Sequence, residues 1–221
     1  MSLELPLTYL HRPVDPATDA PWLLVLLHGV GSNEVDLFGL APAVPRRFNV
    51  LSLRAPFRLG SDSFGWFTFV IRSDGHRQID AEQELNSRTI LTQVIPSAAE
   101  QLSIPAERIV VGGFSQGGIM SLSLLLTRPE LMAAAVVMHS RLLPEVEPLM
   151  APAEALQGRR LWVSHGTKDS VMPLAEAHNL RDRVRQLPIE LSYQEFPGGH
   201  EIRTAELSAL TTWLNGLVAG R

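Results

Sequence analysis

Short, nearly continuous runs of apolar residues recur along the chain, separated by more polar segments. Runs of this kind indicate strands that are buried on both faces, as in a parallel sheet. They occupy residues 22–27, 49–53, 109–111, 133–138 and 161–164. Residues 3–10 and 189–196 alternate more between apolar and polar positions, which predicts an edge strand and a later strand of the same sheet.

Between these runs, apolar residues recur at spacings of three and four, the pattern of a helix with one buried face. One stripe consists of Leu91, Val94, Ile95, Ala98 and Leu102, and another of Leu210, Trp213, Leu214 and Leu217.

Two prolines fall within the predicted helices. Pro96 lies inside the first stripe and is expected to kink that helix, because proline lacks the amide hydrogen. Pro173 suits the first turn of a helix that runs to about Leu187. Strands and helices thus alternate through most of the chain. This order predicts one α/β domain over residues 1–221, a three-layer sandwich with a mostly parallel sheet of about seven strands.

The composition excludes several classes of function. Of the 221 residues, 45% are hydrophobic, the net charge is −4, and lysines and arginines are scattered, so no nucleic-acid partner is expected. The absence of cysteine excludes disulfides and thiolate metal ligands. The apolar run at residues 131–138 is far shorter than the roughly 18 residues of a membrane span, and residues 1–13 are unlike a signal peptide. We therefore expect no membrane span and a cytoplasmic location.

A glycine-rich motif follows the strand predicted at residues 108–112. Residues 113–117, Gly-Phe-Ser-Gln-Gly, match G-x-S-x-G and precede a helix-favouring stretch at residues 119–126. In this context the glycines permit a sharp turn that strains the serine and exposes its hydroxyl at the carboxyl end of the sheet. The dipole of the following helix favours negative charge that develops there. Ser115 is therefore the candidate nucleophile, the alternative being a glycine-rich turn with an N-capping serine.

A serine hydroxyl needs a neighbouring base, and in this kind of fold the acid and then the histidine follow the serine along the chain. His200 fits best, because it follows a Phe-Pro-Gly-Gly turn after the last predicted strand and precedes the C-terminal helix. His139 and His165 lie at strand ends, where a structural hydrogen bond is the simpler role. His178 lies within a predicted helix.

Asp169 is the candidate acid that orients the histidine. It lies just past the strand at residues 161–164, at the edge of the sheet where Ser115 is expected. Asp182 is a poorer candidate, since it lies mid-helix between two arginines, where a solvated ion pair is expected. Alternatively, Asp169 could be a cap, ahead of Pro173, for the helix that begins there. The sequence leaves both roles open.

A second glycine-rich loop, His28-Gly29-Val30-Gly31, follows the strand at residues 22–27. It is of the kind whose backbone N–H helps to bind an oxyanion. The backbone amides of Val30 and Gln116 are the predicted pair of donors. The predicted role of His28 is structural, to hold the loop by hydrogen bonds.

Together these residues resemble the carboxylesterase, lysophospholipase and acyl-protein thioesterase family of small α/β-hydrolases. The resemblance runs from about Trp22 to Leu214, and residues 104–118 are similar to the nucleophile signature of that family. Further similar landmarks are residues 54–56, 65–67, 165–169 and 199–200. The resemblance implies an α/β-hydrolase fold without a large lid domain and hydrolysis of esters or thioesters without a cofactor or metal. It also makes a monomer or a homodimer the expected state.

The chain departs from the family pattern at three positions. Thr68 stands where many members carry an aspartate, Arg141 where a glycine is common, and Lys168 beside the presumed acid is unusual. These residues are expected near the entrance of the site, so the substrate preference of the family does not transfer.

Aromatic residues crowd the loop-rich segment 54–75. They either line an apolar pocket for the acyl or alcohol group or form a small core under a long loop. The chain is too short to hold a large lid, so we expect a shallow, open site that favours small or medium esters. The predicted pocket residues are Phe64, Trp66, Phe67 and Val171.

The sequence thus predicts a serine hydrolase that cleaves small-molecule carboxylic esters of small or medium acyl chains through an acyl-enzyme on Ser115. Three alternatives remain open: a thioesterase or an amidase with the same residues, a lysophospholipase, and a non-catalytic binding module that keeps the fold. The intact serine, aspartate and histidine disfavour the binding module.

Overall fold

The computed structural model describes residues 3–73 and 77–219, so the end of the predicted loop segment 54–75 lies outside the described residues. The strands are β1 (Tyr9–Arg12), β2 (Trp22–Leu27), β3 (Phe48–Leu53), β4 (Phe57–Arg58), β5 (Phe64–Gly65), β6 (Phe69–Ile71), β7 (Arg77–Ile79), β8 (Ile109–Phe114), β9 (Ala134–Met138), β10 (Arg160–Gly166) and β11 (Glu190–Phe196). The helices are α1 (Glu34–Phe38), α2 (Ala81–Gln101), α3 (Gln116–Thr127), α4 (Ala153–Leu156), α5 (Leu174–Val184) and α6 (Thr204–Ala219).

The central sheet has seven strands in the order β1-β3-β2-β8-β9-β10-β11. Every neighbouring pair is parallel except β1 and β3. The five apolar runs and the later strand predicted from the sequence all lie in this sheet. The prediction of a mostly parallel sheet with an antiparallel edge strand is therefore confirmed.

The edge strand lies later in the chain than the predicted residues 3–10. It covers Tyr9–Arg12, with Tyr9 opposite Leu53 and Arg12 opposite Val50. The residues before it do not belong to a strand: Leu3 is buried in the core, and both its amide and its carbonyl bond to the Tyr9 hydroxyl at 2.7 Å. The prediction of a strand from residue 3 was wrong because the apolar positions there bury against the core without pairing.

Side chains of β2 alternate between two hydrophobic cores, one on each face of the sheet. Leu23 and Val25 pack into the core that α2, α3 and α5 cover. Leu24 and Leu26 pack into the other core, which α1 and α6 cover. A strand must be apolar throughout when both of its faces are buried, which explains the continuous runs in the sequence. The predicted three-layer architecture is confirmed.

The long helices follow the predicted apolar stripes with different ends. The helix α2 runs on through Pro96, and α6 buries Leu210 and Leu214. Pro173 precedes α5 as its N-cap, and α5 ends at Val184, short of the predicted Leu187. Within the described residues, no helix has the length and apolar character needed to cross a bilayer.

The carboxyl ends of the parallel strands meet at one edge of the sheet, so the segments that follow them lie together there. These segments are the loop after β2, the turn between β8 and α3, and the loops after β9, β10 and β11. The residues that the sequence predicts for acid, base, nucleophile and oxyanion binding lie in these segments, except Gln116, which is the first residue of α3.

Candidate active site

Ser115 lies in the tight turn between β8 and α3, with φ of 53° and ψ of −117°. This left-handed conformation is costly for a residue with a side chain and persists only where the surrounding structure imposes it. Two close approaches impose it here. A Cβ on Gly113 would lie 2.2 Å from the backbone of Gly117, and a Cβ on Gly117 would lie 1.8 Å from the Leu27 carbonyl oxygen. Only glycine fits at both positions, as the sequence predicts.

A continuous line of hydrogen bonds joins Ser115, His200 and Asp169. The Oγ atom of Ser115 lies 2.9 Å from Nε2 of His200, and Nδ1 of His200 lies 2.7 Å from Oδ2 of Asp169. With Nδ1–H donating to the carboxylate, Nε2 is left as an acceptor for the serine hydroxyl. Although Ser115 is the N-cap residue of α3, its side chain makes no capping hydrogen bond.

Asp169 contacts both the turn that follows it and His200, but it does not cap α5, whose N-cap is Pro173. Its Oδ1 accepts hydrogen bonds from the amides of Val171 and Met172 at 2.9 and 2.8 Å, which holds the turn ahead of α5. Its Oδ2 faces His200. Burial alone would raise the pKa of this carboxyl, but the Met172 amide and the imidazoles of His200 and His139 lower it below its ordinary value. Asp169 is therefore held as a carboxylate.

The loops that position Asp169 and His200 are bonded directly to each other. The amide of Thr167 donates to the Phe196 carbonyl at 2.9 Å, and the amide of Lys168 donates to the Gly198 carbonyl at 2.8 Å. A Cβ on Gly166 would lie 2.2 Å from the Gly199 carbonyl oxygen, so glycine is needed for this approach. The separation of acid and histidine is thus set by backbone contacts.

Val30 and Gln116, whose backbone amides are the predicted oxyanion donors, line the same cavity as Ser115. Neither amide donates a hydrogen bond to any acceptor within residues 3–73 and 77–219. His28 holds the first of the two loops: its Nδ1 lies 2.7 Å from the Gly29 carbonyl oxygen, and its Nε2 accepts from the Ala55 amide at 3.0 Å. Burial lowers the pKa of His28, so the neutral ring that this pattern requires is favoured. Its position agrees with the predicted structural role.

The side chain of Gln116 makes contacts that the sequence analysis missed. Its Oε1 accepts from the Trp66 amide at 2.7 Å, and its Nε2 donates to the Phe67 carbonyl at 2.6 Å. The residue that follows the nucleophile therefore ties the aromatic segment to the active-site turn. No local pattern announces a contact between positions 50 residues apart in the chain.

A small cavity of about 70 Å³ opens beside Ser115. Its wall is mostly apolar and includes Phe67, Phe69 and Val171, and two arginines, Arg77 and Arg141, also line it. Two of the four predicted pocket residues, Phe67 and Val171, thus lie at this cavity.

The other two predicted pocket residues, Trp66 and Phe64, do not line it. Trp66 is fully buried, and its indole N–H donates to the His28 carbonyl at 2.9 Å, so it supports the glycine-rich loop from within the core. The ring of Phe64 packs against Arg54, whose Cζ atom lies 4.5 Å from the ring centre. The aromatic segment therefore supplies both a small core and part of the cavity wall. The sequence had left these two roles open.

Behind Asp169 lies a buried polar cluster that the sequence analysis also missed. Nδ1 of His139 lies 3.0 Å from the same Asp169 Oδ2 atom, and its Nε2 lies 3.1 Å from Glu206 Oε2. Ser164 donates to the other Glu206 oxygen at 2.5 Å. A signal did exist, because Glu206 stands four residues before Leu210 on the apolar stripe of α6. A glutamate at a core-facing position requires a buried partner.

His139, Asp169 and His200 together offer possible metal-ligand atoms within 4.8 Å of one another. The Asp169 Oδ2 atom already accepts from both imidazoles, however, so the three side chains form a hydrogen-bonded unit. The described geometry suits proton handling better than metal coordination.

The remaining candidates have partners other than Ser115. The Nε2 atom of His165 lies 2.7 Å from the Met172 carbonyl oxygen, and His178 pairs with Glu195 at the surface. Asp182 forms the expected ion pair, with Arg181 at 2.8 Å.

Comparisons with known proteins identify the family of the chain. Residues 12–218 match the phospholipase/carboxylesterase family. The chain belongs to this family. Acyl-protein thioesterase 1 of Neurospora crassa is 29% identical over 158 residues, which are 68% of this chain and 64% of that protein, less than two thirds of its length. A protein of Bacillus subtilis named putative hydrolase MhqD is 26% identical over 193 residues, covering 86% of this chain and 91% of that protein.

The fold is also found among solved structures. The carboxylesterase of Bacillus cereus superposes with a TM-score of 0.81 at 23% identity, over 96% of this chain and 95% of that chain. The family and the α/β-hydrolase fold expected from the sequence are confirmed. The broader prediction, a carboxylic ester hydrolase, is confirmed with them.

Proposed function

We propose that this chain is a serine esterase that hydrolyses carboxylic esters of small or medium acyl chains through an acyl-enzyme on Ser115. The observation that carries the proposal is the unbroken hydrogen-bond line from Ser115 Oγ through His200 to Asp169 Oδ2. A binding module with this fold would not need a strained serine aligned on a histidine and a buried carboxylate.

In the proposed reaction, Ser115 Oγ attacks the ester carbonyl while Nε2 of His200 takes the hydroxyl proton. Asp169 stabilises the imidazolium that forms and fixes its tautomer. When the tetrahedral intermediate collapses, the imidazolium gives its proton to the departing alkoxide, and an acyl group remains on Ser115. Water then attacks the acyl-enzyme, with His200 again as base, and the carboxylic acid is released.

The amides of Val30 and Gln116 are proposed to bind the oxyanion of both intermediates. Support comes from their unused hydrogens, their position at the cavity of Ser115 and the start of α3 behind Gln116. Each donor of this kind typically contributes roughly 10²- to 10³-fold to the rate. Because the donors are backbone groups, the side chains at these positions do not supply them.

The proposed chain-length preference is supported by the size of the cavity. At about 70 Å³ it is well below the roughly 300 Å³ at which pockets for drug-sized ligands begin. A long acyl chain would have to lie outside it. Phe67 and Val171 are the residues proposed to contact the bound group.

A thioesterase is the second candidate, because relatives named acyl-protein thioesterase match much of the chain. An ester and a thioester differ only in the leaving group, so the same residues serve both. The lysophospholipase alternative requires a longer acyl group and fits the small cavity less well.

The test is the initial rate of hydrolysis of matched acetyl, hexanoyl and dodecanoyl esters and thioesters by the wild type and by Ser115→Ala. We expect serine-dependent turnover that is highest for acetyl or hexanoyl esters. A rate that rises steadily to the dodecanoyl group contradicts the chain-length proposal, and a higher kcat/KM for thioesters selects the second candidate. Absence of turnover on every substrate contradicts the esterase proposal.

The cytoplasmic location and the monomeric or homodimeric state expected from the sequence remain part of the proposal. Cell fractionation and light scattering of the purified protein test them.

A further inference from the structure

The wall of the cavity beside Ser115 includes arginines that the proposed ester hydrolysis does not use. Arg141 follows β9 and lines the cavity with its side chain half-buried. Its guanidinium makes no hydrogen bond and no ion pair with any residue in 3–73 or 77–219. Most arginines that are withdrawn from water have an acidic or carbonyl partner, because their five donors are costly to leave unpaired.

A second arginine, Arg77, lines the same cavity. The Nη2 atom of Arg77 donates to the Val171 carbonyl at 2.8 Å, and its Cζ lies 5.3 Å from the centre of the Phe69 ring. These two contacts hold the side chain against the cavity wall. Arg77 and Arg141 come from different elements, so two separate parts of the chain bring positive charge to one small space.

No carboxylate balances these charges among the described residues of the cavity wall. Asp169 lies nearby but is buried, with its two oxygens occupied by backbone amides and by His139 and His200. The chain as a whole carries a net charge of −4, whereas the charged residues that line the cavity within the described part of the chain are both arginines.

We propose that the substrate is an ester that also carries an anionic group, such as a carboxylate, separated from the scissile carbonyl by a short apolar spacer. Arg141 binds the anionic group and Arg77 assists, while the apolar wall contacts the spacer. The proposal rests on the proposed function, since it names the substrate class of the same site. Arg141 is then a specificity residue, which contacts the substrate away from the reacting atoms.

Arginine suits this role because its planar guanidinium matches the two oxygens of a carboxylate. The apolar walls exclude water and strengthen the interaction relative to a fully exposed pair. We expect a preference of about tenfold in kcat/KM for the anionic ester over a neutral ester of the same shape, a magnitude typical of one charge-assisted hydrogen bond.

The test compares monomethyl glutarate with methyl 4-carbamoylbutanoate, in which a neutral amide replaces the carboxylate. A second pair, 4-acetoxybutanoate and 4-acetoxybutanamide, carries the same groups on the alcohol side. The wild type is expected to prefer the anionic member of at least one pair by about tenfold, and the preference is expected to shrink from about 0.05 to about 0.5 M salt.

The matched variants are Arg141→Gln, Arg77→Gln and, as control, Arg160→Gln. Arg160 begins β10, at the opposite edge of the sheet from Ser115, and pairs with Glu190 at 3.0 Å. We expect Arg141→Gln to lower the ratio of kcat/KM values about tenfold, Arg77→Gln to lower it less, and Arg160→Gln to leave it unchanged. Thermal unfolding of each variant shows whether it is folded.

Equal kcat/KM values for the two members of both pairs, or a ratio that Arg141→Gln does not change, would overturn the proposal. Turnover of 4-nitrophenyl acetate distinguishes failure of the substrate-class proposal from failure of the esterase proposal. If that ester is cleaved while no anionic ester is preferred, the substrate class is wrong and the esterase proposal stands. If neither 4-nitrophenyl acetate nor any of the four esters is cleaved, both proposals fail.

Discussion

Nε2 of His139 lies 3.1 Å from Oε2 of Glu206, and both side chains are 1% exposed. Nδ1 of the same ring faces Asp169 Oδ2 at 3.0 Å, so each ring nitrogen meets a carboxylate oxygen. Both contacts are hydrogen bonds only if the ring carries two protons or Glu206 carries one. Burial alone would lower the pKa of His139, but the hydrogen bonds and charges of Glu206 and Asp169 outweigh it and raise the pKa above 6.5. The raised pKa favours the imidazolium form of His139 between the side chains of Asp169 and Glu206.

The substitution Glu206→Gln is predicted to lower stability most under mildly acidic conditions. The introduced amide can donate to a neutral His139 and still accept from Ser164, so the change removes the charge and keeps the shape. A group whose pKa is raised on folding contributes stability that is complete below its unfolded pKa, about 6.5, and is lost as the pH rises through its folded pKa. Near pH 6 we expect the melting temperature to fall by about 3–10 °C.

As the pH rises through the raised pKa of His139, the difference in melting temperature between the wild type and Glu206→Gln should shrink, because the wild type loses the second proton of the ring. Differential scanning calorimetry from about pH 6 upward measures this difference. His165 and His200 lie near the His139 ring and are present in both proteins. The control is Glu190→Gln, at an exposed glutamate on the far edge of the sheet. A loss of stability that is constant or grows with pH would contradict the assignment.

Gly117→Ala is predicted to prevent folding, and Gly216→Ala is the matched control. A Cβ at position 117 would lie 1.8 Å from the Leu27 carbonyl oxygen, so β2 and α3 would have to separate. The same change at Gly216, in α6, meets nothing within 4 Å and should stabilise the protein by about 0.5–1 kcal/mol. Soluble yield and melting temperature measure both effects. A Gly117→Ala protein that melts at the wild-type temperature would contradict the close approach of Gly117 to the Leu27 carbonyl.

Gln116→Ala is predicted to lower both activity and stability, although the backbone amide at this position is kept. The substitution leaves the buried Trp66 amide and the Phe67 carbonyl without their side-chain partners. We expect kcat/KM for a short ester to fall about tenfold, because Phe67 at the cavity is no longer held, and the melting temperature to fall by a few degrees. Gln186→Ala, at an exposed glutamine, is the control. Unchanged kinetics in both variants would mean that the backbone alone positions this segment.

Much of the fold and of the candidate site is predictable from the sequence because it depends on local chemistry. The apolar run of β2 is continuous, which indicates burial on both faces of the strand. The glycines around Ser115 permit the tight turn that a larger residue would prevent. His200 and Asp169 could be selected by chain order, because parallel strands bring the loops after them to one edge of the sheet.

What the sequence could not predict depends on contacts between distant positions. Trp66 and Phe67 are neighbouring aromatic residues, yet Trp66 supports a loop from the core and Phe67 lines the cavity. The difference arises because successive side chains point in different directions. Glu206 and His139 are 67 residues apart, and nothing local to either indicates the other. In the sequence, Arg141 stands out only as a departure from a family pattern. That it lines the cavity can be seen only in the folded structure.

Covalent labelling of Ser115 is the most direct test of the proposed serine chemistry. The wild type, Ser115→Ala and His200→Ala are each incubated with a fluorophosphonate, and the site of attachment is read by mass spectrometry of the digested protein. We predict one adduct on the peptide that contains Ser115, none in Ser115→Ala, and much slower labelling in His200→Ala, with all three proteins folded by circular dichroism. Labelling of Ser115→Ala at the full wild-type rate, or an adduct on another residue of the wild type, would contradict the assignment of Ser115 as nucleophile.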